Sequence, residues 1–238
     1  MGNKHLSVLM LYVRGSIAPL ISSMVLMAAV QTGLSLWSVQ RGVSTLEALV
    51  QFAHWRFVFL GGVILLVAML SRTYGGGYTI RRLRISERAV FLWHSLACFC
   101  CFVLLWMVEI IVSTVICQYF LSLSSANDLS GQALFLAFYR SDFLHSILPL
   151  EEVSRWIYLL TAFLAMAFSM ADAIVRIRYG HKATPLLLTL ISALWLFQRT
   201  LGSLAPDVFL VLFHVCIIAY TIWDVWCNAE EVASEDEN

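Results

Sequence analysis

Long apolar runs separated by short polar segments dominate the sequence. A helix that crosses a bilayer needs about 20 mostly apolar residues, because the hydrocarbon core is about 30 Å thick. Six segments meet this requirement, at about residues 17–37, 50–70, 90–120, 154–176, 185–204 and 207–227. Two of them are weaker, since the second includes His54 and Arg56 and the fifth contains Gln198 and Arg199. The pattern predicts an all-α polytopic membrane protein with one transmembrane domain over residues 1–228.

The two ends of the chain differ from the predicted spans. Residues 6–12 are apolar, and Arg14-Gly15 separates them from the first span, so we expect a short N-terminal interfacial helix there. Residues 229–238 contain five acidic side chains and no aromatic one, which is typical of a disordered tail. At the third span, Ser86 and Glu87 are residue types that favour the start of a helix.

Composition supports a membrane protein. Hydrophobic residues make up 61% of the chain and charged residues 13%, with a mean hydropathy of +0.83. Soluble domains carry about 25% charged residues, so lipid must solvate much of this apolar surface. The formal net charge is zero, and we expect no nucleic acid as a partner.

The distribution of basic residues predicts the orientation of the spans. Lysine and arginine are retained on the cytoplasmic side of membrane proteins. Ten of the 15 basic residues fall in the N-terminal, second and fourth connecting segments: Lys4, Arg14, Arg72, Arg81, Arg82, Arg84, Arg88, Arg176, Arg178 and Lys182. Both termini are therefore predicted to be cytoplasmic. The expected location is a cell membrane, the bacterial cytoplasmic membrane.

Motifs for catalysis or metal binding are missing from the sequence. The six cysteines form no Cys-x-x-Cys pair, and the histidines show no ligand spacing. No Gly-x-Ser-x-Gly or His-Glu-x-x-His motif occurs, and the triple glycine at residues 75–77 is not followed by Gly-Lys-Ser/Thr. We expect no metal, no cofactor and no catalytic activity in this chain.

Three acidic residues in the apolar runs are candidates for a special role. Glu109 lies within the third span, one helical turn before Ser113, and a buried carboxyl there must face another helix or a polar path. It either joins helices through hydrogen bonds or belongs to a substrate or proton path. Asp172 and Arg176 have the spacing of an ion pair on one helix, and Asp224 is a candidate partner for a loop arginine.

A long segment after the third span, residues 121–153, lies on the predicted external side. It contains two apolar clusters, residues 134–139 and 143–148, interrupted by Arg140, Asp142 and His145. The pattern favours an interfacial helix on the outer leaflet. A lid over an exit path and a contact for a partner subunit are the alternatives.

The second connecting segment carries the most informative pattern. In a helix over residues 78–88, Arg81, Arg84 and Arg88 share one face and Ile80 and Leu83 another. Such a segment either fixes topology and contacts anionic lipid heads or presents a short amphipathic helix to a cytosolic partner.

Residues 77–93 (Gly-Tyr-Thr-Ile-Arg-Arg-Leu-Arg-Ile-Ser-Glu-Arg-Ala-Val-Phe-Leu-Trp) resemble the permease subunits of ABC-2 type exporters. In that family, such a segment between the second and third spans forms the coupling helix that docks on the ATP-binding subunit. The resemblance implies an ATPase-contacting loop consisting of Arg81, Arg82, Leu83, Arg84, Ile85, Ser86, Glu87 and Arg88. It also implies separate ATPase subunits that hold ATP and Mg²⁺, and a second permease subunit, identical or similar. The chain departs from the family pattern between its last two spans, where a short connection, residues 202–207, leaves no room for the usual re-entrant gate.

These observations predict a permease subunit of an ATP-driven exporter. Few buried polar groups are available to bind a polar solute, so the expected substrate is amphipathic: a peptide, an antibiotic or a lipid. The alternative from another class is a non-transporting membrane scaffold, sensor or immunity protein. An intramembrane enzyme is a third alternative, for which the sequence offers no catalytic constellation.

Overall fold

A computed structural model describes residues 4–43, 45–52, 54–74, 86–123, 130–149, 153–178, 183–196 and 204–235. Every regular element in these residues is an α-helix, which confirms the predicted all-α class. The helices are α1 Lys4–Gln40, α2 Leu46–Phe52, α3 Trp55–Tyr74, α4 Glu87–Leu123, α5 Ser130–Arg140, α6 Asp142–Ile147, α7 Val153–Arg178, α8 Thr184–Leu196 and α9 Leu204–Glu235.

Five segments formed by the described helices are long and apolar enough to cross a membrane: His5–Gln40, Ala48–Thr73, which includes most of α2 and α3, Glu87–Leu123, Val153–Ile177 and Ala205–Cys227. The chain is accordingly a multi-pass membrane protein. The predicted fifth span is represented by α8, which has 13 residues and a length of about 20 Å. Residues 197–203, which complete that prediction, lie outside the described residues.

The N-terminal helix corrects the prediction of a separate interfacial helix. Residues 6–12 belong to α1, which continues without a break through Arg14 and Gly15. A glycine inside a helix costs only about 1 kcal/mol. Packing offsets this cost, because Val8 and Tyr12 are fully buried and the Tyr12 ring stacks on His94 with 4.4 Å between ring centres.

The C-terminal tail also differs from its prediction. Residues 229–235 continue α9 as helix, so the expected disorder is wrong over this part of the tail, and residues 236–238 lie outside the described part. Extending an existing helix needs no new nucleation. Alanine and glutamate, which recur in this segment, are also strong helix formers.

Helix α7 occupies the centre of the bundle, and α1 lies at its periphery. In the most apolar window of each, 72% of the residues are buried in α7 and 22% in α1. Helix α7 packs against α4, α8 and α9, while α1 packs against α3 and α4. The helices with the most exposed apolar side chains are therefore those that face lipid.

Side-chain contacts establish the direction of the first long helices. Helices α1 and α4 run parallel, because Tyr12 contacts His94 and Gln31 contacts Glu109. Helix α3 runs antiparallel to α1, since its first residue, Trp55, bonds to Ser35. The end of the bundle where α1 and α4 begin is called the basic end below, and the opposite end is called the distal end.

Contacts of α7 place the last helix in the same frame. Tyr158 stacks on His214, and Arg176 pairs with Asp224, so α7 and α9 run parallel towards the basic end. Ser192 on α8 lies next to His214, which gives α8 the opposite direction. The beginning of α1 and the last turns of α9 thus lie at the same end of the bundle.

The predicted external segment, residues 121–153, contains two short helices, α5 and α6, rather than one interfacial helix. Helix α6 is packed into the bundle, with Phe143, Leu144 and Ile147 all buried. Trp106 of α4 donates a hydrogen bond through its indole nitrogen to the Ile147 carbonyl at 3.0 Å. The Ser141 hydroxyl caps α6 by accepting from the Leu144 backbone N–H at 3.3 Å. Helix α6, which belongs to the predicted outer-leaflet helix, is therefore packed into the distal end of the bundle.

Candidate functional site

The predicted ATPase-contacting loop is described only at its C-terminal edge. Arg81, Arg82, Leu83, Arg84 and Ile85 lie outside the described residues, whereas Ser86, Glu87 and Arg88 lie at the start of α4. The Ser86 carbonyl accepts from the backbone N–H groups of Ala89 and Val90, at 3.0 and 3.1 Å. Ser86 therefore marks the helix start that the sequence predicted, with Glu87 exposed in the first turn.

Arg88 connects this helix start to the last helix. Its Nη2 atom donates to the Trp226 carbonyl of α9 at 3.2 Å, and its guanidinium lies 5.4 Å from the centre of the Trp226 ring. Below this contact, Phe91, Ala171 and Val225 form a small buried cluster that joins α4, α7 and α9. The start of α4 is therefore in direct contact with the part of α9 around Trp226.

Glu109 lies at the interface between α1 and α4, which confirms that its helix face meets another helix. Gln31, Glu109 and Ser113 are all fully buried. The Gln31 amide Nε2 donates to Glu109 Oε1 at 2.7 Å and to Ser113 Oγ at 3.0 Å. The Ser113 hydroxyl donates to the same carboxyl oxygen at 3.1 Å. One carboxyl oxygen thus accepts two hydrogen bonds inside the bundle.

Two acceptor atoms of this cluster have no hydrogen-bond partner among the described residues: Glu109 Oε2 and Gln31 Oε1. Buried polar atoms normally find a partner. Both atoms can therefore accept a further hydrogen bond. Gln31 was not among the sequence candidates, although a lone glutamine in the middle of an apolar span is the signal that identifies it.

Arg176 bridges α7 and α9 near the basic end. Its Nε donates to Asp172 Oδ2 at 2.8 Å, which confirms the predicted pair on one helix. Its Nη2 lies 2.8 Å from Asp224 Oδ2 and 3.0 Å from the Tyr220 hydroxyl. The partner of Asp224 is therefore Arg176, one of the basic residues of the predicted fourth connecting segment, which lies in the last turn of α7. Asp172 is fully buried, and its Oδ1 atom has no hydrogen-bond partner among the described residues.

A second polar contact joins α8 to α9, and sequence inspection did not find it. Ser192 Oγ and His214 Nε2 are 3.0 Å apart, and both residues are buried. The Ser192 hydroxyl also lies 2.8 Å from the Thr189 carbonyl, and the tautomer of the imidazole decides which of Ser192 and His214 donates to the other. The contact joins α8 to α9.

The other histidines occupy separate places. His94 stacks on Tyr12 at the basic end, whereas His145 contacts Tyr139 at the distal end. Within the described part of the chain, no three histidine, cysteine or acidic side chains come together as metal ligands. The polar groups of the bundle therefore act in pairs and small networks between helices.

Comparisons with known proteins give no family. No protein-family model matches this chain, and no curated protein or solved structure shows a significant similarity to it.

Proposed function

We propose that this chain is the permease subunit of an ATP-driven ABC exporter of the ABC-2 type. The observation that carries this function is the position of the segment that resembles a coupling helix. It leads directly into α4 at the basic end, where Arg88 is hydrogen-bonded to the last helix at 3.2 Å. A push from a cytosolic ATPase would therefore reach two helices of the bundle at once.

We also propose six spans, with both termini in the cytoplasm. Helices α7 and α9 run parallel, so the chain between them must return from the basic end to the distal end. Helix α8, together with residues 197–203, would supply that crossing. The basic end carries Arg14, Arg72 and Arg88 in addition to the start of α1, which favours a cytoplasmic position for it.

In this mechanism, ATP and Mg²⁺ are held by a separate ATPase, and the permease changes shape. Closure of two ATPases would move residues 81–88 and the start of α4. The contact of Arg88 with Trp226 would pass the movement to α9. Arg176 would pass it to the central helix α7 through its contacts with Asp172 and Asp224. Such rigid-body movement of helices is a common form of conformational switching.

A photocrosslinking experiment tests the partner. Glu87, which is exposed at the basic end, is replaced by photoreactive benzoylphenylalanine in the native host. Asp142, which is exposed on α6 at the distal end, serves as the matched control. We expect irradiation to join position 87, and not position 142, to a protein that contains a phosphate-binding loop.

If position 87 never captures such an ATPase, and the chain purifies from mild detergent without one, the exporter is ruled out. The non-transporting alternatives, a scaffold, sensor or immunity protein, would then account better for the bundle.

A further inference from the structure

Two cavities meet at His54, near the distal end, and they differ in chemistry. The first is a polar cavity of about 240 Å³, lined in part by Arg56, Arg140 and Asp142. The second is an apolar groove of about 440 Å³ between α1 and α3. His54 lines both, so the two cavities are separated by no more than one side chain. A cavity of several hundred cubic ångströms is large enough for a small ligand.

The polar cavity favours an anion. Its described side chains include two arginines, Arg56 and Arg140, and one carboxylate, Asp142. Arg56 is half-buried, and its guanidinium lies 4.8 Å from the centre of the Phe57 ring, which lines the groove. Arginine is suited to phosphate and carboxylate because its planar donors match two oxygens at once.

The groove favours an acyl chain. It lies within two of the candidate membrane spans and runs from Leu34 and Phe57 to Leu26 and Leu65, about 12 Å along the helices. Gly61 and Gly62 form part of its wall, and a Cβ atom at Gly61 would meet nothing within 4 Å. The missing side chain at Gly61 therefore leaves open space on the lipid-facing side of α3.

The backbone at the junction is unusual. His54 has φ 49°, in the left-handed region that non-glycine residues seldom adopt. Such a conformation costs about 1–3 kcal/mol and is found mostly where a functional site maintains it. His54 directly precedes α3, and its imidazole lies between the polar cavity and the groove.

We propose that these two cavities form one binding site for a single-chain amphiphile from the bilayer, with an anionic phosphate or carboxylate head at Arg56 and an acyl chain along Gly61. As a binding site it is independent of the exporter. As a substrate site it rests on the proposed function and narrows the substrate class to anionic lipids or lipid-like compounds.

A larger groove provides an internal comparison. About 620 Å³ of space lies between α1 and α4, beside Ser35, Ile111 and Val115. Its polar lining residues, among them Thr32, Gln40 and Tyr119, carry no charge. A probe that selects for an anionic head should therefore prefer the smaller groove, whereas a probe that follows volume alone should prefer the larger one.

The test labels the full chain in nanodiscs with lysophosphatidic acid that carries a photoreactive diazirine near the end of its acyl chain. The monoacylglycerol with the same chain serves as the uncharged control probe. We expect adducts of the anionic probe at the walls of the smaller groove, and about tenfold fewer with Arg56→Gln. Loss of one charge-assisted hydrogen bond commonly lowers affinity by about this factor.

Gly61→Leu fills the groove and should abolish these adducts. Gly33→Leu is its matched control, because Gly33 is also an exposed helical glycine with no atom within 4 Å of its Cβ position, but it lies outside the groove. Equal labelling by both probes, adducts mainly in the larger groove, or no effect of Gly61→Leu would each overturn the site.

A second arm distinguishes a lipid from a second copy of the chain. Benzoylphenylalanine in place of Phe57, irradiated in native membranes, should yield adducts with the mass of one amphiphile. Adducts that join two copies of the chain would instead identify the groove as a subunit interface and overturn the lipid site. Neither arm requires an ATPase, so failure here leaves the exporter untouched, and failure to capture an ATPase leaves the lipid site untouched.

Discussion

Single buried polar residues determine which helices of this bundle recognise each other. In lipid the apolar faces of helices have little reason to prefer one partner, and hydrogen bonds between helices supply the preference. Gln31 and Glu109 match α1 to α4, Ser192 and His214 match α8 to α9, and Arg176 matches α7 to α9. The Gln31–Glu109 and Ser192–His214 contacts are buried, so the loss of one partner there leaves the other without hydration, whereas Asp224 is 24% exposed.

Removing Gln31 alone should therefore destabilise the chain more than removing both Gln31 and Glu109. We expect Gln31→Leu to lower the free energy of unfolding by about 1–3 kcal/mol, because Glu109 keeps only the Ser113 hydroxyl. The double variant Gln31→Leu/Glu109→Leu should recover most of this loss, since both polar groups are gone. Unfolding in mixed detergent micelles measures both. A double variant that is less stable than the single one would show that the contact is favourable in itself.

Arg176 gives a second prediction at this scale. Arg176→Gln leaves the fully buried Asp172 without its cation and should lower the free energy of unfolding by about 3 kcal/mol. Asp224→Asn is the control, and it should lose less than about 1 kcal/mol, because Asp224 is 24% exposed. The same unfolding assay compares them, and equal losses would mean that Arg176 is not the residue that compensates Asp172.

Among the elements, the contact between α1 and α3 depends on close approach at one glycine. A Cβ atom on Gly62 would meet the Met27 sulfur at 3.0 Å, whereas one on Gly61 would meet nothing within 4 Å. The two adjacent positions have the same helical context and differ only in the direction they face. They therefore separate the effect of packing from the effect of helix propensity.

Gly62→Leu should destabilise the chain by about 1–3 kcal/mol through overpacking. Gly61→Leu should be neutral or slightly stabilising, because it removes the entropic cost of glycine in a helix without a clash. Thermal unfolding of both variants, followed by helix content, provides the comparison. If Gly62→Leu is as stable as the unsubstituted chain, the contact between α1 and α3 does not depend on close approach at Gly62.

The elements also show which features could be predicted from sequence. The start of α4 and the Asp172–Arg176 pair depend on neighbours in sequence, so local pattern was sufficient. The partner of Glu109 depends on which helix lies beside α4, and no local pattern contains that information. The break predicted at Arg14-Gly15 was wrong for a related reason, since buried contacts of Tyr12 with a distant helix maintain α1. Burial of α6 likewise follows from contacts made across the bundle.

For the whole molecule, the directions of the helices bear on the number of membrane crossings and on the positions of the two termini. The part of α9 around Trp226 lies beside the start of α4, and α1 begins at that same end, where His5 contacts Trp93. If α8 and residues 197–203 complete a crossing, the chain crosses the membrane an even number of times. If they do not, α7 and α9 cannot both cross the membrane in the parallel directions described above, and the termini would lie on opposite sides.

Epitope tags at the two termini distinguish these cases. We expect both tags to resist antibody and protease in intact cells and to become accessible only after permeabilisation. A third tag inserted between α4 and α5, at the distal end, should be accessible without it. Accessibility of one terminal tag alone would contradict six spans and would make α8 a helix that enters the membrane without crossing it.

The exposed face of α4 has a consequence for the surrounding bilayer. Exposed apolar side chains follow one another along it from Leu92 through Met107 and Val115 to Leu123, a distance of about 47 Å. A bilayer has a hydrocarbon core of only about 30 Å. Helix α4 must therefore lean steeply or thicken the membrane around it, at a fraction of a kcal/mol for each ångström of hydrophobic mismatch. The chain should consequently be sensitive to membrane thickness, and be more stable in lipids with long acyl chains than in lipids with short ones.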